Sequence, residues 1–365
     1  EIRLSLVGSE MCIRDRYKLY WTLLTINAGL PLDKLVVFIL SILYYFQNSK
    51  SFRAKALVVF CILFMLAFTS FIVNSDRNIL IFYPFLFFFL AVLAGNAEAN
   101  VKLIQNSLLV SIFWGIFSAI LALIGIHTIG SLSLIEKGMP FLFAPVGFSP
   151  TVQVYGTLCV CWLIIAMETK QKRGWVFYLV LIASILTFNR ATWIFLFLLL
   201  TIYHKKYAIG LFFIGAVIVS CIELVQNVLF SISTLSSRGE LRAGAELSYW
   251  KSNDFFVYLF GKGTHLTSEK IARHTIWGRQ YIENGWDFIF HTYGIIGFIV
   301  YTCIIISLLY VIWRRGAGKF SILIIYYYFV EQILTNEFLA SSFCFFTTII
   351  SVSYTHLRAH ETKAN

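Results

Sequence analysis

The chain has 365 residues, 59% of them hydrophobic and 13% charged, with a mean hydropathy of +0.79. A soluble domain is nearer half apolar and a quarter charged, so composition excludes an ordinary water-soluble globule and points to a polytopic helical membrane protein. The formal charge of +11 does not signal nucleic acid, because most Lys and Arg sit in short loops between apolar runs. Those runs are apolar all round, where barrel strands would alternate.

Leu6–Asp15 reads LVGSEMCIRD and Val352–Thr362 reads VSYTHLRAHET. One oligonucleotide encodes VSYTHLRAHE on one strand and LVGSEMCIRD on the other. Both ends therefore resemble translated sequencing-adapter sequence. Residues 1–16 and 352–365 are expected to be non-native scars around a single membrane domain over 17–351.

A helix needs roughly 20 apolar residues to cross a bilayer, and shorter runs tilt less or re-enter. The predicted spans are 17–30, 33–47, 55–74, 78–95, 102–126, 151–168, 175–189, 191–204, 207–230, 289–313, 319–335 and 337–351. The fold class expected is therefore all-α, with about twelve transmembrane helices. Residues 175–204 are too long for one span and carry Arg190 in their middle, so they divide into a hairpin with Arg190 at its tip.

Positive charge in short loops sets orientation. Lys50, Arg53 and Lys55 share one loop, and Lys170, Lys172 and Arg173 another. Lys205 and Lys206 share a third, and Arg314, Arg315 and Lys319 a fourth. All four fall on one side, which is then the cytoplasm. Arg190 and the long polar loop 231–288 face outside. Cys61, Cys159, Cys161, Cys221, Cys303 and Cys344 lie in apolar runs and read as small buried hydrophobes. Cys159 and Cys161 have no His partner, so no metal site is expected.

The polar residues with chemistry to offer gather on the outer side. Arg190 lies in Thr187-Phe188-Asn189-Arg190-Ala191. By itself it reads as a helix-end Arg snorkelling to headgroups. Beside other outward Arg it suits an anion, since guanidinium forks match phosphate. Arg238 and Arg242 are four apart and would share one helix face, with Glu240 and Glu246 as plain ion partners. Arg273 and Arg279 follow in the same loop. Residues 243–260 read as an interfacial helix ending in the turn Leu259-Phe260-Gly261-Lys262-Gly263, which lacks the Ser or Thr of a phosphate loop.

Glu283, Asp287 and His291 are spaced i, i+4 and i+8. A helix beginning near Glu283 would carry all three on one face, where an acid can act as a general base. A metal site on a single helix lacks convergent ligands. The plain alternative is a polar first turn, where acids favour the helix dipole. That alternative explains Asn284 poorly as a cap. Glu331 and Glu337, near the outer ends of the last two spans, either complete a polar cluster or meet headgroups.

The order of these parts resembles the O-antigen ligase/polymerase superfamily of bacterial envelope glycan assembly. The pieces that carry the likeness are Asn189-Arg190, Ser237-Arg238, Gly261-Lys262-Gly263, Glu283-Asn284-Gly285-Trp286 and Tyr293-Gly294-Ile295-Ile296-Gly297. The resemblance implies a C-type glycosyltransferase fold in the bacterial cytoplasmic membrane, working at its outer face without metal or other cofactor. Its implied donor is a polyprenyl-pyrophosphate-linked oligosaccharide. Implied partners are membrane lipid, a chain-length regulator and a flippase, with no nucleic acid.

On this likeness Arg190 and Arg238 grip the pyrophosphate, Arg242 or Arg279 assists, and Glu283 deprotonates the acceptor hydroxyl. Asn284, Asp287 and His291 complete the substrate-binding set. Ligases that attach glycan to lipid A core typically carry His where this chain has Glu283-Asn284, so the acid is more like a polymerase of O-antigen, capsule or exopolysaccharide. Two alternatives stand beside that reading. One is a ligase to lipid A core or protein, and the other is a transporter or flippase of an anionic lipid or solute.

The orientation is tested by single cysteines in a background without the native ones. A cysteine at Ser268 or Thr292 is expected to react with an impermeant reagent on sealed cells, and one at Gln171 or Gly316 is not. Labelling at Gln171 or Gly316 would invert the assignment.

Overall fold

The computed structural model describes residues 54–73, 101–135, 139–168, 174–210, 213, 254–263, 273–274, 280–282, 284–314, 318–338, 340, 342–343 and 346. These are mostly helical. In chain order they form α1 (Ala54–Val73), α2 (Val101–Leu123), strands β1 (Ser131–Leu134) and β2 (Met139–Pro145), α3 (Val152–Glu168), α4 (Trp175–Ile185) and α5 (Arg190–Tyr203). Then come α6 (Phe255–Phe260), strands β3 (Arg273–His274) and β4 (Gln280–Tyr281), α7 (Gly285–Arg314) and α8 (Gly318–Ile325). A π-helical turn (Tyr326–Glu331) and the short α9 (Gln332–Leu334) complete the series. Long apolar runs take this form because a helix satisfies its backbone groups internally, without water.

Among the described residues, two helices are long and apolar enough to cross a membrane, Gln105–Leu123 within α2 and Gly285–Tyr310 within α7. The expected spans at 55–74, 151–168, 175–189, 191–204 and 319–335 also fall on helix, with ends moved by a few residues. Those at 17–30, 33–47 and 78–95 lie outside the described residues, as do both proposed scars and most of 207–230 and 337–351. Strand is the departure from an all-α expectation. β1 and β2 pair antiparallel from Ser131↔Pro145 to Leu134↔Met139, with a bulge between Ser133 and Leu134. A second small ladder pairs Arg273 with Tyr281 and His274 with Gln280.

The described residues fall into two units. In the first, covering 101–193, α2 packs against β2 and α3, and α3 against α4. Gly130 O accepts from Val146 N and Gly147 N at 2.8 and 3.0 Å, which closes the open end of the β hairpin. The Tyr155 hydroxyl donates to Ile112 O at 2.9 Å and ties α3 to α2. Almost every residue of α3 is buried, Cys159 and Cys161 included, as an all-apolar helix in a core should be. Cys61 and Cys303 differ from expectation, since both are exposed, on α1 and α7.

The second unit holds 54–73 and 194–340. Here α7 is the axis, touching α1, α6, α8 and α9. α7 is not continuous. Gly294 has φ 66° and ψ −167°, which breaks the helix. The break is filled by the turn after α6. Lys262 N donates to His291 O at 2.7 Å and Gly263 N to Thr292 O at 3.3 Å. Ser70 Oγ of α1 donates to Thr292 O at 2.6 Å. Carbonyls that the break would leave without a partner are thus supplied from outside the helix, as buried backbone requires.

Gly261 and Gly294 cross at this point, both with left-handed φ (80° and 66°). A Cβ on Gly261 would sit 2.5 Å from Thr292 O and 2.6 Å from Gly294 N. Gly294→Ala and Gly261→Ala are therefore each expected to lower the thermal midpoint in detergent, with about 1–2 kcal/mol from the left-handed backbone alone. The double variant is expected to lose less than the sum, since both changes open one contact. Gly174→Ala, with open space around it, is the neutral control.

Candidate functional site

The turn that carries Arg190 is built from its sequence neighbours. α4 ends at Ile185, and Phe188 takes a left-handed φ of 48°, unusual for a residue with a side chain. Asn189 then caps α5, with Oδ1 accepting from Ala191 N at 2.9 Å. Trp193 Nε1 donates back to Ile185 O at 2.9 Å and closes the turn. Gly156 of α3 lets Thr192 approach against its backbone. Arg190 is thus the first residue of α5, half-buried, on a braced turn. The expected division of 175–204 at Arg190 matches this geometry.

Asn284, Gly285 and Trp286 are braced in the same way, in the second unit. Asn284 Oδ1 accepts from Trp286 N at 2.9 Å and Asp287 N at 3.2 Å. Asn284 is therefore the N-cap of α7, contrary to the view that a cap explains it poorly. The amide oxygen satisfies two N–H groups that have no partner within the helix. α7 begins at Gly285, so only Asp287 and His291 of the i, i+4, i+8 set lie on its described face.

Gly285 is needed for close approach, because a Cβ there would meet the Phe338 ring at 2.8 Å and Gln332 O at 3.1 Å. Trp286 stacks on Phe329 at 5.6 Å and meets the edges of Phe298 and Phe338. Its Nε1 donates to Tyr328 O at 3.0 Å, a carbonyl of the π-helical turn. On the other flank, Asn336 Nδ2 donates to Ile282 O at 2.8 Å.

His291 is buried, and its Nδ1–H donates to Gly263 O at 3.2 Å. A carbonyl can only accept, which assigns the proton to Nδ1. Its Nε2 is buried without a hydrogen-bond partner, as is Thr292 Oγ1 beside it. The Gly261-Lys262-Gly263 turn does not offer its N–H groups to a phosphate. Gly261 N donates to Val257 O, and the next two N–H groups hold α7. Of the interfacial helix expected over 243–260, α6 covers Phe255–Phe260 with Asp254 as its cap.

Glu331 and Glu337 are both buried, which decides for the polar cluster over headgroup contact. Tyr327 Oη donates to Glu337 Oε2 at 2.9 Å, and Glu337 N donates to Gln332 Oε1 at 3.1 Å. Glu331 meets the Tyr326 phenol, but neither of its oxygens has a hydrogen bond of good geometry. Tyr327, Gln332 and Asn336 are the members that sequence reasoning missed. The signal was Glu331-Gln332 and Asn336-Glu337 inside an apolar run. Arg238, Arg242, Arg279 and Glu283 lie outside the described residues, and Arg273 is described only as backbone of β3. Among the described residues no group of three His, Cys, Asp or Glu is arranged to hold a metal ion.

No family model matches the chain, and no curated protein matches it.

The cap assignment has a direct consequence. Asn284→Ala is expected to cost about 1 kcal/mol of stability, and Asn284→Ser much less, because Ser caps as well. Thermal unfolding of the purified protein measures both. Equal losses from Ala and Ser would mean the amide acts through some other contact.

Proposed function

We propose that the chain polymerises polyprenyl-pyrophosphate-linked oligosaccharide repeat units into O-antigen, capsule or exopolysaccharide, at the outer face of a bacterial cytoplasmic membrane. The observation that carries this reading is the convergence of three motifs in one unit. Gly261-Lys262-Gly263, Glu283-Asn284-Gly285-Trp286 and Tyr293-Gly294-Ile295-Ile296-Gly297 are separate in sequence. Yet the turn sits in the break of α7, and Asn284 caps the same helix. Motifs that carry a family likeness and also form one physical piece are less open to chance than motifs scattered along a chain. The apolar side chains turned outward on α1, α2 and α7, such as Phe68, Phe117 and Ile299, support a lipid surrounding.

The chemistry asks little of a protein. An acceptor hydroxyl attacks the anomeric carbon of the donor. The bond from that carbon to the pyrophosphate oxygen breaks, and polyprenyl pyrophosphate leaves with the electron pair. The hydroxyl proton passes to Glu283. Arg190 and Arg238 screen the leaving charge, with Arg242 or Arg279 assisting, which is electrostatic stabilisation of the transition state. Asp287 and His291 remain candidate contacts to the glycan. A ligase to lipid A core or protein would use the same step with another acceptor. A transporter would instead use ionisable groups within its helices, for which Glu331 is a buried candidate among the described residues.

Arg190→Lys is expected to fail in cells, because Lys keeps the charge and loses the two-pronged grip on pyrophosphate. Arg238→Ala is expected to lose donor binding. Glu283→Gln is expected to bind donor and to transfer roughly 100-fold more slowly or worse. Glu246→Gln, in the same loop, is expected to be near wild type. Long-chain glycan on gels, at matched protein level, reads all four. Full product from Glu283→Gln removes the base, and full product from both Arg variants removes the glycosyltransferase reading.

A further inference from the structure

α3 does not start level with the end of α2. α2 runs from Val101 to Leu123, yet the chain meets it again at Ser111, near its middle. Phe148 N donates to Ser111 Oγ at 3.3 Å, and a Cβ on Gly147 would stand 2.5 Å from Ser111 O. Gly115 permits the approach, since its own Cβ would stand 2.8 Å from Gly147 N. α3 begins just after, at Val152, and its Tyr155 hydroxyl reaches Ile112 O. Ser111 lies roughly 18 Å along the helix from Leu123. A hydrocarbon core is about 30 Å thick, so a spanning α2 puts this meeting near half depth.

The β1–β2 hairpin occupies the space beside the C-terminal half of α2. Phe143 of β2 meets His127, just past the end of α2, with ring centroids 5.3 Å apart. From there the strand runs back along α2 to Gly147. Gly130, just ahead of β1, returns as deep, since a Cβ on it would meet Ser118 Oγ and, at 2.7 Å, Trp114 Nε1. Leu134, Met139 and Ala144 form the buried side, and both strands pack on α2. The other side is apolar and exposed, with Ile129 at 81%, Ile135 at 64% and Phe141 at 59%, and Leu132 beside them. α2 turns Phe117 and Ile120 outward over the same part of its length.

This stretch is nearly free of charge. Between Leu103 and Met167 the only Asp, Glu, Lys or Arg are Glu136 and Lys137, which fall between the two strands in sequence. The backbone at the return is satisfied by the protein. Val146 N and Gly147 N donate to Gly130 O, Phe148 N to Ser111 Oγ, and Ser149 N to Val146 O. Non-helical backbone is tolerated at membrane depth only when its polar groups are supplied in this way.

We propose that the β1–β2 hairpin is a re-entrant element in the leaflet that holds the C-terminal half of α2, with Ile129, Leu132, Ile135 and Phe141 against lipid acyl chains. This rests on the reading of α2 as a membrane span. A contiguous exposed apolar face needs a cover. Here the cover is lipid, because the face lies at the depth where α2 is itself apolar outward, and it carries no charge to select a protein. α3 starts too deep to shield that half of α2, and the hairpin does so in its place. The gap between the expected spans 102–126 and 151–168 is therefore membrane-embedded and not a loop in water.

The test uses the full chain in vesicles of phosphatidylethanolamine and phosphatidylglycerol. Single cysteines in a cysteine-free background carry a nitrobenzoxadiazole dye. Leu132→Cys and Phe141→Cys report the hairpin, Phe117→Cys the exposed side of α2, and Gln171→Cys a loop. One quencher is a lipid with a nitroxide on its acyl chain, and the other is iodide in the water. The two hairpin labels are expected to be quenched by the nitroxide lipid to within about 2-fold of the Phe117 label, since all three stand within the hydrocarbon. Iodide is expected to quench the Gln171 label and to spare the other three.

Iodide quenching at Leu132 and Phe141 as strong as at Gln171, with Phe117 still quenched by lipid, would overturn the inference and leave α2 a span. Strong iodide quenching at Phe117 as well would overturn both. Hairpin labels shielded from both quenchers would mean that protein covers this face, and would overturn the lipid assignment. Should the cysteine-free chain not fold, a photoreactive diazirine side chain at Leu132 of the otherwise native chain carries the test. A lipid adduct supports the inference, and adducts to protein alone or to water alone overturn it.

Discussion

The second unit depends on one crossing of backbones, Gly261 over Gly294. An apolar helix that breaks in mid-course leaves polar groups without partners, and a buried group of that kind costs about 1–3 kcal/mol. Here the break is tolerated because the turn after α6 brings two N–H groups to the His291 and Thr292 carbonyls, and Ser70 brings a hydroxyl. Neither glycine can carry a side chain, since each backbone fills the space where the other's Cβ would stand. The polar loop between α6 and α7 is thereby tied at its start to the helix that follows its end.

From that joint the rest follows along α7. The turn's Gly263 carbonyl fixes the His291 ring, and the ring's proton with it. Two turns earlier, Asn284 caps the helix, and Trp286 is enclosed by Phe298, Phe329 and Phe338. The π-helical turn places the Tyr328 carbonyl to accept from that indole. In the first unit, Asn189 does for α5 what Asn284 does for α7. In both motifs the Asn side chain is engaged with the helix it starts.

Much of the helical layout was legible, because runs of apolar residues with few breaks can only satisfy their backbones as helix. The division at Arg190 was legible from the length of the run and one charge. The turn at Gly261-Lys262-Gly263 was legible from its glycines, but not what it docks on, since the partner is a helix break that ordinary apolar periodicity conceals. Asn284 was misjudged because a cap and a ligand use the same amide. The choice between them is made by where the following N–H groups point. Asn336 and Gln332 went unnoticed because their partners are backbone carbonyls and one backbone N–H brought near by folding. The strands β1 and β2 have too short an alternation to stand out from a loop: in β1 only Leu132, exposed, and Leu134, buried, mark the two faces.

The proposed activity is the joining of lipid-linked glycan units, and reconstitution tests that proposal most directly. The purified chain is placed in vesicles with a polyprenyl-pyrophosphate-linked repeat unit supplied on one side, and the lipid-linked products are sized. The expected result is a ladder of longer lipid-linked glycans, with one polyprenyl pyrophosphate released for each repeat added. Repeat units that cross the bilayer without growing would make the chain a flippase. Units that neither grow nor cross would contradict the polymerase reading outright.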